Sequence, residues 1–439
     1  IAGGAGDDVI LGDGAGTLNP GNDVLDGGEG FDQISGGDGD DIIIGGGATS
    51  FPFGDLLFGE GGNDTITGGG NGRLIGGTGS DTIFGADGDL ILANEDDDTI
   101  TGDAGVQFIE PGQGNDTIDG GSGIDWVDYR NETGTAGIDL NMLAGTATDT
   151  FGTTDTFTNI ENIIGSNLAD TITGNANANV LRGEAGNDVL TGGLGSDTLD
   201  GGSGADLISI PSTTFALIDG GADQDTLALT GGITLSLPAT AGTTLQNIEA
   251  VDLSGLAPGS NNSLAATAAA VRAVSDVQNA DVVAAFGSTA PDSLLVHGNA
   301  GDAINLSDAG WSNTGPTAVI GGETYALYQN TAGGLVHVAI DADITVTGGN
   351  APPTTADAAV TTNEDTAFTF AAANFPFTDA DAGDTLQSIT VVSVPLAGTL
   401  TLAGNAVPAG QVVTAAQIPT LVFAPAANAN GAAYASFDF

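Results

Sequence analysis

The chain has 439 residues, 73 of them Gly, and sets 57 Asp and Glu against four cations, Arg73, Arg130, Arg182 and Arg272, for a formal net charge of −53. That charge repels nucleic acid and anionic membranes and calls for positive partners, inorganic cations foremost. Cys is absent, which excludes disulfides, thiolate metal sites and cysteine nucleophiles.

A mean hydropathy of +0.14 with 40% hydrophobic residues argues against an acidic disordered chain, and the regular spacing of the acids argues against charge serving solubility alone. No signal peptide and no long uncharged apolar run is evident, so no membrane insertion is expected. The length suggests roughly two to four domains. The chain opens inside a repeat at Ile1-Ala2-Gly3-Gly4 and stops inside an apparent strand, as a window of a longer protein would.

From the N-terminus the dominant feature is a nonapeptide. Residues 27–35 read Gly-Gly-Glu-Gly-Phe-Asp-Gln-Ile-Ser and 36–44 read Gly-Gly-Asp-Gly-Asp-Asp-Ile-Ile-Ile; the pattern returns at 183–191, 192–200 and 201–209. Its form is G-G-x-G-x-D-x-U-x, with U a large apolar residue. Gly at positions one, two and four suits a tight turn with positive φ, and x-U-x is β-prone. Two units therefore predict one flattened coil, its two U side chains facing each other. Stacking coils buries the thin core that one coil cannot bury alone.

Position six carries Asp. Asp8, Asp23, Asp32, Asp41, Asp55, Asp64, Asp81, Asp89, Asp98, Asp116 and Asp125 occupy it in a first block, and Asp170, Asp188, Asp197, Asp206 and Asp225 in a second. Units two apart lie one coil apart, about 4.8 Å in the stacking direction. Carboxylates that close repel or take up protons unless a cation separates them. Carboxylate and turn carbonyl oxygens, with no His in the repeats, favour Ca²⁺ over Zn²⁺ or Mg²⁺. Gln107 and Asn179 hold the same position without charge and predict weaker sites. Arg73 is read as taking an Asp position in a shortened unit. Insertions around Thr17–Pro20 and Thr49–Phe53 are expected at the coil edge.

These residues resemble the RTX calcium-binding repeats over roughly 1–128 and 165–228. The resemblance implies an all-β, calcium-stabilised parallel β-roll and several Ca²⁺ ions. It also implies type I secretion to the outside of a bacterium.

Residues 129–164 lose the nonapeptide and predict a β-hairpin or flap. Thr158-Asn-Ile-Glu-Asn-Ile163 and Gln246-Asn-Ile-Glu-Ala-Val251 read as one structural device used twice, and such segments resemble those accompanying RTX arrays. Residues 229–347 predict a β-rich domain with one helix over Ser263–Val277 and strands at Ser293–Val296, Thr317–Ile320, Thr324–Tyr328, Leu335–Ile340 and Ile344–Val346. Trp311, Tyr325 and Tyr328 read as core, with a sugar platform as the alternative. A Pro-Pro and Gly-Gly linker spans 348–357. Residues 358–439 then resemble a cadherin-like or Ig-like sandwich cut short at its end. Its acidic clusters, Glu364 and Asp365 and then Asp379, Asp381 and Asp384, are either calcium ligands or turn residues.

No H-E-x-x-H, P-loop or G-x-S-x-G is present, and His297 and His337 sit in apparent strands as structural residues. The expectation is a non-enzymatic calcium-binding module of a large secreted surface protein of adhesin, extracellular-matrix or surface-layer type. Two alternatives stand beside it: the accessory part of a secreted enzyme or toxin, and a carbohydrate-binding module in 229–347.

Overall fold

A computed structural model describes residues 1–13, 21–47, 54–237, 244–255, 261–274, 279–287, 292–308, 310–331, 335–348, 354–378, 385–429, 431 and 434–439. The insertions at Thr17–Pro20 and Thr49–Phe53 lie outside the described residues. Two compact units result: Ile1–Trp311 with Pro316–Gly349, and Ser312–Gly315 with Asn350–Phe439.

In the first unit alternate nonapeptides feed alternate sheets. One sheet takes Val24–Glu29, Ile42–Gly47, Thr65–Thr67, Thr82–Phe84, Thr99–Thr101 and Thr117–Asp119. The other takes Gln33–Asp38, Leu56–Gly61, Arg73–Thr78, Leu90–Glu95, Phe108–Gln113 and Trp126–Asp128. All these pairs are parallel and keep U opposite U: Ile43, Ile66, Ile83, Ile100 and Ile118 form one column. Ile34, Leu57, Leu74, Ile91, Ile109 and Val127 form the other. Every one of these side chains is at most 1% exposed. The two columns meet in one continuous apolar core that runs from Ile10 to Ile344. Burial of this single residue per repeat supplies the main driving force, about 1.5–3 kcal/mol for each large aliphatic side chain.

The glycines divide their work differently from the expectation. Positions two and four adopt positive φ, as at Gly202 (+103°) and Gly204 (+121°), but position one does not. Gly201 is Gly for space: a Cβ there would overlap both the Asp206 carboxylate and the Gly220 carbonyl oxygen.

The segment 129–164, expected as a hairpin or flap between the two repeat blocks, is built into the roll. Thr154–Thr158 continues the first sheet parallel to Thr117–Asp119. Across the sheet the next strands are antiparallel Thr146–Thr148 and then Asp139–Asn141, which pairs parallel with Thr171–Thr173. The opposite sheet runs on without interruption from Trp126–Asp128 through Asn162–Ile164 to Val180–Arg182. The meander fits because Phe157, Ala147 and Leu140 are buried in the same apolar core as the U residues.

No break marks residue 229, where a separate domain was expected. Thr226–Leu229 pairs parallel with Ala250–Asp252, which pairs with Asp292–His297, which pairs with Val336–Asp341. A third parallel sheet joins Thr234–Ser236, Ser263–Ala266, Ala303–Leu306 and Thr345–Thr347. The solenoid continues with longer coils. The single helix expected over Ser263–Val277 is instead a strand followed by α1 (Ala268–Val274), and α2 (Ala280–Phe286) comes after it. Leu264 and Ala266 alternate inward as strand residues. The Thr267 hydroxyl then accepts the Ala270 N–H, at 3.0 Å, and starts the helix. Asn279 caps α2, and Gly287 closes it in the left-handed conformation.

The second unit is antiparallel throughout its described strands. Phe368–Thr369, Leu421–Ala424, Thr399–Leu402 and Asn405–Ala406 form one sheet, and Ser388–Val391 pairs with Gln411–Thr414. Phe370, Phe375, Val391, Val413 and Leu421 fill its core, with Phe437 and Phe439 packed against them. Within Val360–Phe370 the described strand is confined to Phe368–Thr369.

The alternation along each strand predicts sharply unequal substitutions. Ile100→Ala should lower the unfolding free energy of the calcium-saturated protein by about 2–5 kcal/mol. Thr99→Ala, one residue away and facing out, should change it by less than about 0.5 kcal/mol. Urea unfolding followed by circular dichroism measures both.

Candidate metal centre

Each strand pair places its position-six residues one coil apart, at one of the two turns of the roll. Along each turn the backbone N–H of a ladder residue donates to the Oδ1 of its counterpart in the next coil at most positions. Along one turn the bonds run from Asp23 to Asp41 (2.7 Å), Asp41 to Asp64 (2.7 Å), Asp64 to Asp81 (2.8 Å), Asp81 to Asp98 (2.7 Å) and Asp98 to Asp116 (2.8 Å). They resume from Asp170 to Asp188 (2.8 Å), Asp188 to Asp206 (2.8 Å) and Asp206 to Asp225 (2.9 Å). The opposite turn carries Asp8 to Asp32 (2.8 Å), Asp32 to Asp55 (3.0 Å), Gln107 to Asp125 (2.8 Å) and Asn179 to Asp197 (3.0 Å).

The second carboxylate oxygen is what the protein leaves without a donor. Oδ2 of Asp8, Asp32, Asp41, Asp55, Asp64, Asp81, Asp98, Asp116, Asp125, Asp188, Asp206 and Asp225 is buried with no hydrogen-bond partner. A buried anionic oxygen without a partner is expensive. At Gly201 the Asp206 Oδ2 and the Gly220 carbonyl crowd the same point, so acceptor oxygens converge with no donor between them. Among the described residues no three acidic or His side chains converge on one spot. A cation held here must therefore draw on main-chain carbonyls as well as carboxylates, which suits the large, flexible, all-oxygen shell of Ca²⁺.

Four aspartates depart from the pattern: Asp23 and Asp197 are not among those with a buried, unpartnered Oδ2, and Asp89 and Asp170 are held by the protein. Asp89 accepts from Gly72 N–H through Oδ1 and from Ala86 N–H through Oδ2. Asp170 accepts from the Ser166 N–H and hydroxyl and from Ile138 N–H. Both are satisfied by the protein itself. Asn179 is likewise occupied, donating to the Glu161 carbonyl and accepting from Asn175 N–H. Arg73 does not hold an Asp position: Gly72 does, since it is Gly72 N–H that donates to Asp89, and Arg73 points outward from the strand that follows.

Two sets of residues escaped the sequence reading. Glu161 and Glu249 complete the carboxylate ladders where an insertion lengthens the coil, accepting from Asp125 N–H (2.9 Å) and Asp225 N–H (3.0 Å). In both Asn-Ile-Glu segments the Asn is left-handed, Asn159 at φ 54° and Asn247 at φ 55°. Each Asn amide donates to an aspartate one coil back, Asp119 or Asp219. A further ladder runs outside the first. Asn22, Asp40 and Asn63, at position five, accept from the N–H of Asp40, Asn63 and Ser80 in turn. The recurrent Asn or Asp directly before the ladder Asp was the available signal.

Elsewhere, Trp311, Tyr325 and Tyr328 are buried, which removes them as a sugar platform. His297 lies 3.0 Å from the Tyr325 hydroxyl and 3.1 Å from Asp341, and His337 is buried in a stack on Phe286. Glu364 is exposed, and Asp365 is a turn residue at φ 60° that accepts from Asn428 N–H. Asp379, Asp381 and Asp384 lie outside the described residues.

Burial, more than any neighbouring charge, drives the ladder carboxyls toward the protonated form. Asp64, Asp125 and Asp206 are pushed up to about 6, Asp81, Asp188 and Asp225 to about 7 and Asp98 to about 8. Asp116 is raised as well, by burial and then by Asp155 beside it. Ionising these groups in the folded roll therefore costs stability, so at neutral pH the metal-free roll is destabilised by its own ladders.

The sign follows from linkage. These carboxyls bind protons more tightly folded than unfolded, so their contribution is full below about pH 4 and is lost as pH rises through 6–8. In chelator, the urea midpoint of the roll should fall between pH 5 and pH 8, and calcium addition near pH 7 should release protons into weak buffer. A midpoint that rises with pH would refute this. Asp188→Ala should weaken calcium-dependent folding by removing both Oδ2 and the acceptor for Asp170 N–H, about 1–3 kcal/mol for the latter alone. Gly201→Ala should do likewise by displacing Asp206, whereas Asp200→Ala, at the outward ninth position, should do less. Calcium titrations followed by circular dichroism rank the three.

A family model for the RTX calcium-binding nonapeptide repeat (four copies) matches residues 18–50, 52–71, 67–89, 92–127, 164–199 and 173–208. No curated protein matches the chain. The matched segments are the two runs of coils whose turns carry the aspartate ladders, on either side of the meander. Residues within 18–127 and 164–208 are therefore RTX calcium-binding nonapeptide repeats, and such repeats bind multiple Ca²⁺ ions.

Proposed function

We propose that this chain is a calcium-set rod within a large secreted bacterial surface protein of adhesin, matrix or surface-layer type. Its position-six aspartates, with turn carbonyls, are the ligands. The observation that carries this reading is the two ladders of buried Oδ2 atoms that no protein donor satisfies. In low calcium these anions hold the roll open, as passage through a type I secretion channel requires. Millimolar calcium outside the cell closes it, and binding free energy becomes folding free energy. The antiparallel, Phe-cored unit at the C-terminus supports a cadherin-like stalk module as its continuation.

Far-UV circular dichroism of the whole chain during a calcium titration from chelator tests this. A cooperative gain of β signal is expected with calcium and not with magnesium. A β signal already complete in chelator at neutral pH would sink calcium-coupled folding.

A further inference from the structure

The meander that interrupts the repeats also builds a groove of about 270 Å³. One wall comes from neighbouring coils of the roll, with Asn94, Glu110 and Asp128; the other comes from the inserted segment, with Asn131, Glu132 and Phe151. The volume falls just below the roughly 300–1,000 Å³ that holds drug-sized ligands, so the occupant is small.

Phe151 is 39% exposed although it lines the groove. Its position is fixed from beneath. Phe151 N–H and Thr153 N–H both donate to Oδ1 of the buried Asp149, at 3.0 and 2.8 Å. An exposed ring on a rigid turn loses little entropy when it is covered.

The polar groups around it are arranged but incompletely used. Asn131 donates to Glu110 at 3.0 Å. Arg130 grips Asp128 at 2.7 Å. Glu132 accepts from the Thr150 hydroxyl and N–H through Oε2, while its Oε1 is buried with no partner.

The chemistry of the occupant follows by comparison. An anion would meet Glu95, Glu110, Asp128 and Glu132. A metal ion would have to compete for Asp128 with the Arg130 guanidinium that already holds it. A neutral polyhydroxylated ring satisfies both features. Its hydroxyls can donate to the carboxylates and accept from the amides, and its C–H face can cover the phenyl ring.

We propose that this groove binds a neutral saccharide residue, stacked on Phe151 and hydrogen-bonded by Asn131 and Glu110. The proposal does not rest on the calcium-coupled folding argued above. Circular dichroism in a calcium titration reports that reading, and sugar binding reports this one.

The test uses the whole chain folded in calcium, with glucose, galactose, mannose, fucose and N-acetylglucosamine as probes. Saturation-transfer difference NMR at millimolar sugar detects binding, and calorimetry measures it. At least one sugar should bind. Phe151→Ala should weaken it about tenfold, as truncating a central aromatic anchor does, with the calcium-induced dichroism unchanged. Asn131→Ala, an exposed position, supplies the second variant should Phe151→Ala fail to fold. Binding by none of the five sugars would overturn the proposal, as would binding indifferent to both variants. So would terbium luminescence showing one cation fewer in Glu132→Gln with no sugar bound, since the groove would then be a cation site.

Discussion

The separation of one coil from the next, about 4.8 Å, governs this molecule. At that spacing a carboxylate on every second nonapeptide lies close above its counterpart. The fold uses one oxygen of each to accept a backbone N–H from the coil before, as between Asp170 and Asp188. The other oxygen is thereby drawn out of water and left without a donor. The ladder thus stiffens the turn and creates an electrostatic conflict in one arrangement. A divalent cation ringed by carboxylate and carbonyl oxygens resolves the conflict without disturbing the backbone bonds.

Several local features follow from that constraint. The first Gly of a repeat makes room for the carboxylate five residues later, a steric duty apart from the positive φ of the second and fourth positions. The two Asn-Ile-Glu segments stand where an insertion lengthens the coil, at Glu161 and Glu249. There the longer side chain of Glu reaches the same N–H that Asp reaches in a regular coil. The ladder therefore survives interruptions that break the nonapeptide pattern.

The solenoid also outlasts the repeat. Past residue 229 the parallel pairing continues with longer coils and two short helices, because inward residues such as Val251, Val296 and Ile340 extend the apolar column. The meander at 139–158 obeys the same rule with Leu140, Ala147 and Phe157. An insertion that keeps the inward column is free to do something new at its edge, and here it raises Phe151 and Glu132 beside the roll.

The nonapeptide, the parallel roll, the U core and the aspartate register were legible in the sequence, because each depends on a strict local period of nine with one apolar and one acidic residue. Calcium was legible for the same reason, since only oxygen donors recur. Pairing between distant segments was not. How 129–164 joined the roll depended on which strand met Thr117–Asp119. Whether 229 began a new domain depended on where Ala250–Asp252 paired. The placement of Gly72 rather than Arg73 in the ladder, and the self-satisfied Asp89 and Asp170, likewise rest on contacts with residues outside the repeat unit. Local periodicity therefore determined the coil and its ligand chemistry. Tertiary structure alone decided how far the coils run, which aspartates keep an unpartnered oxygen and where the groove forms, because those depend on hydrogen bonds and packing between residues far apart in the chain.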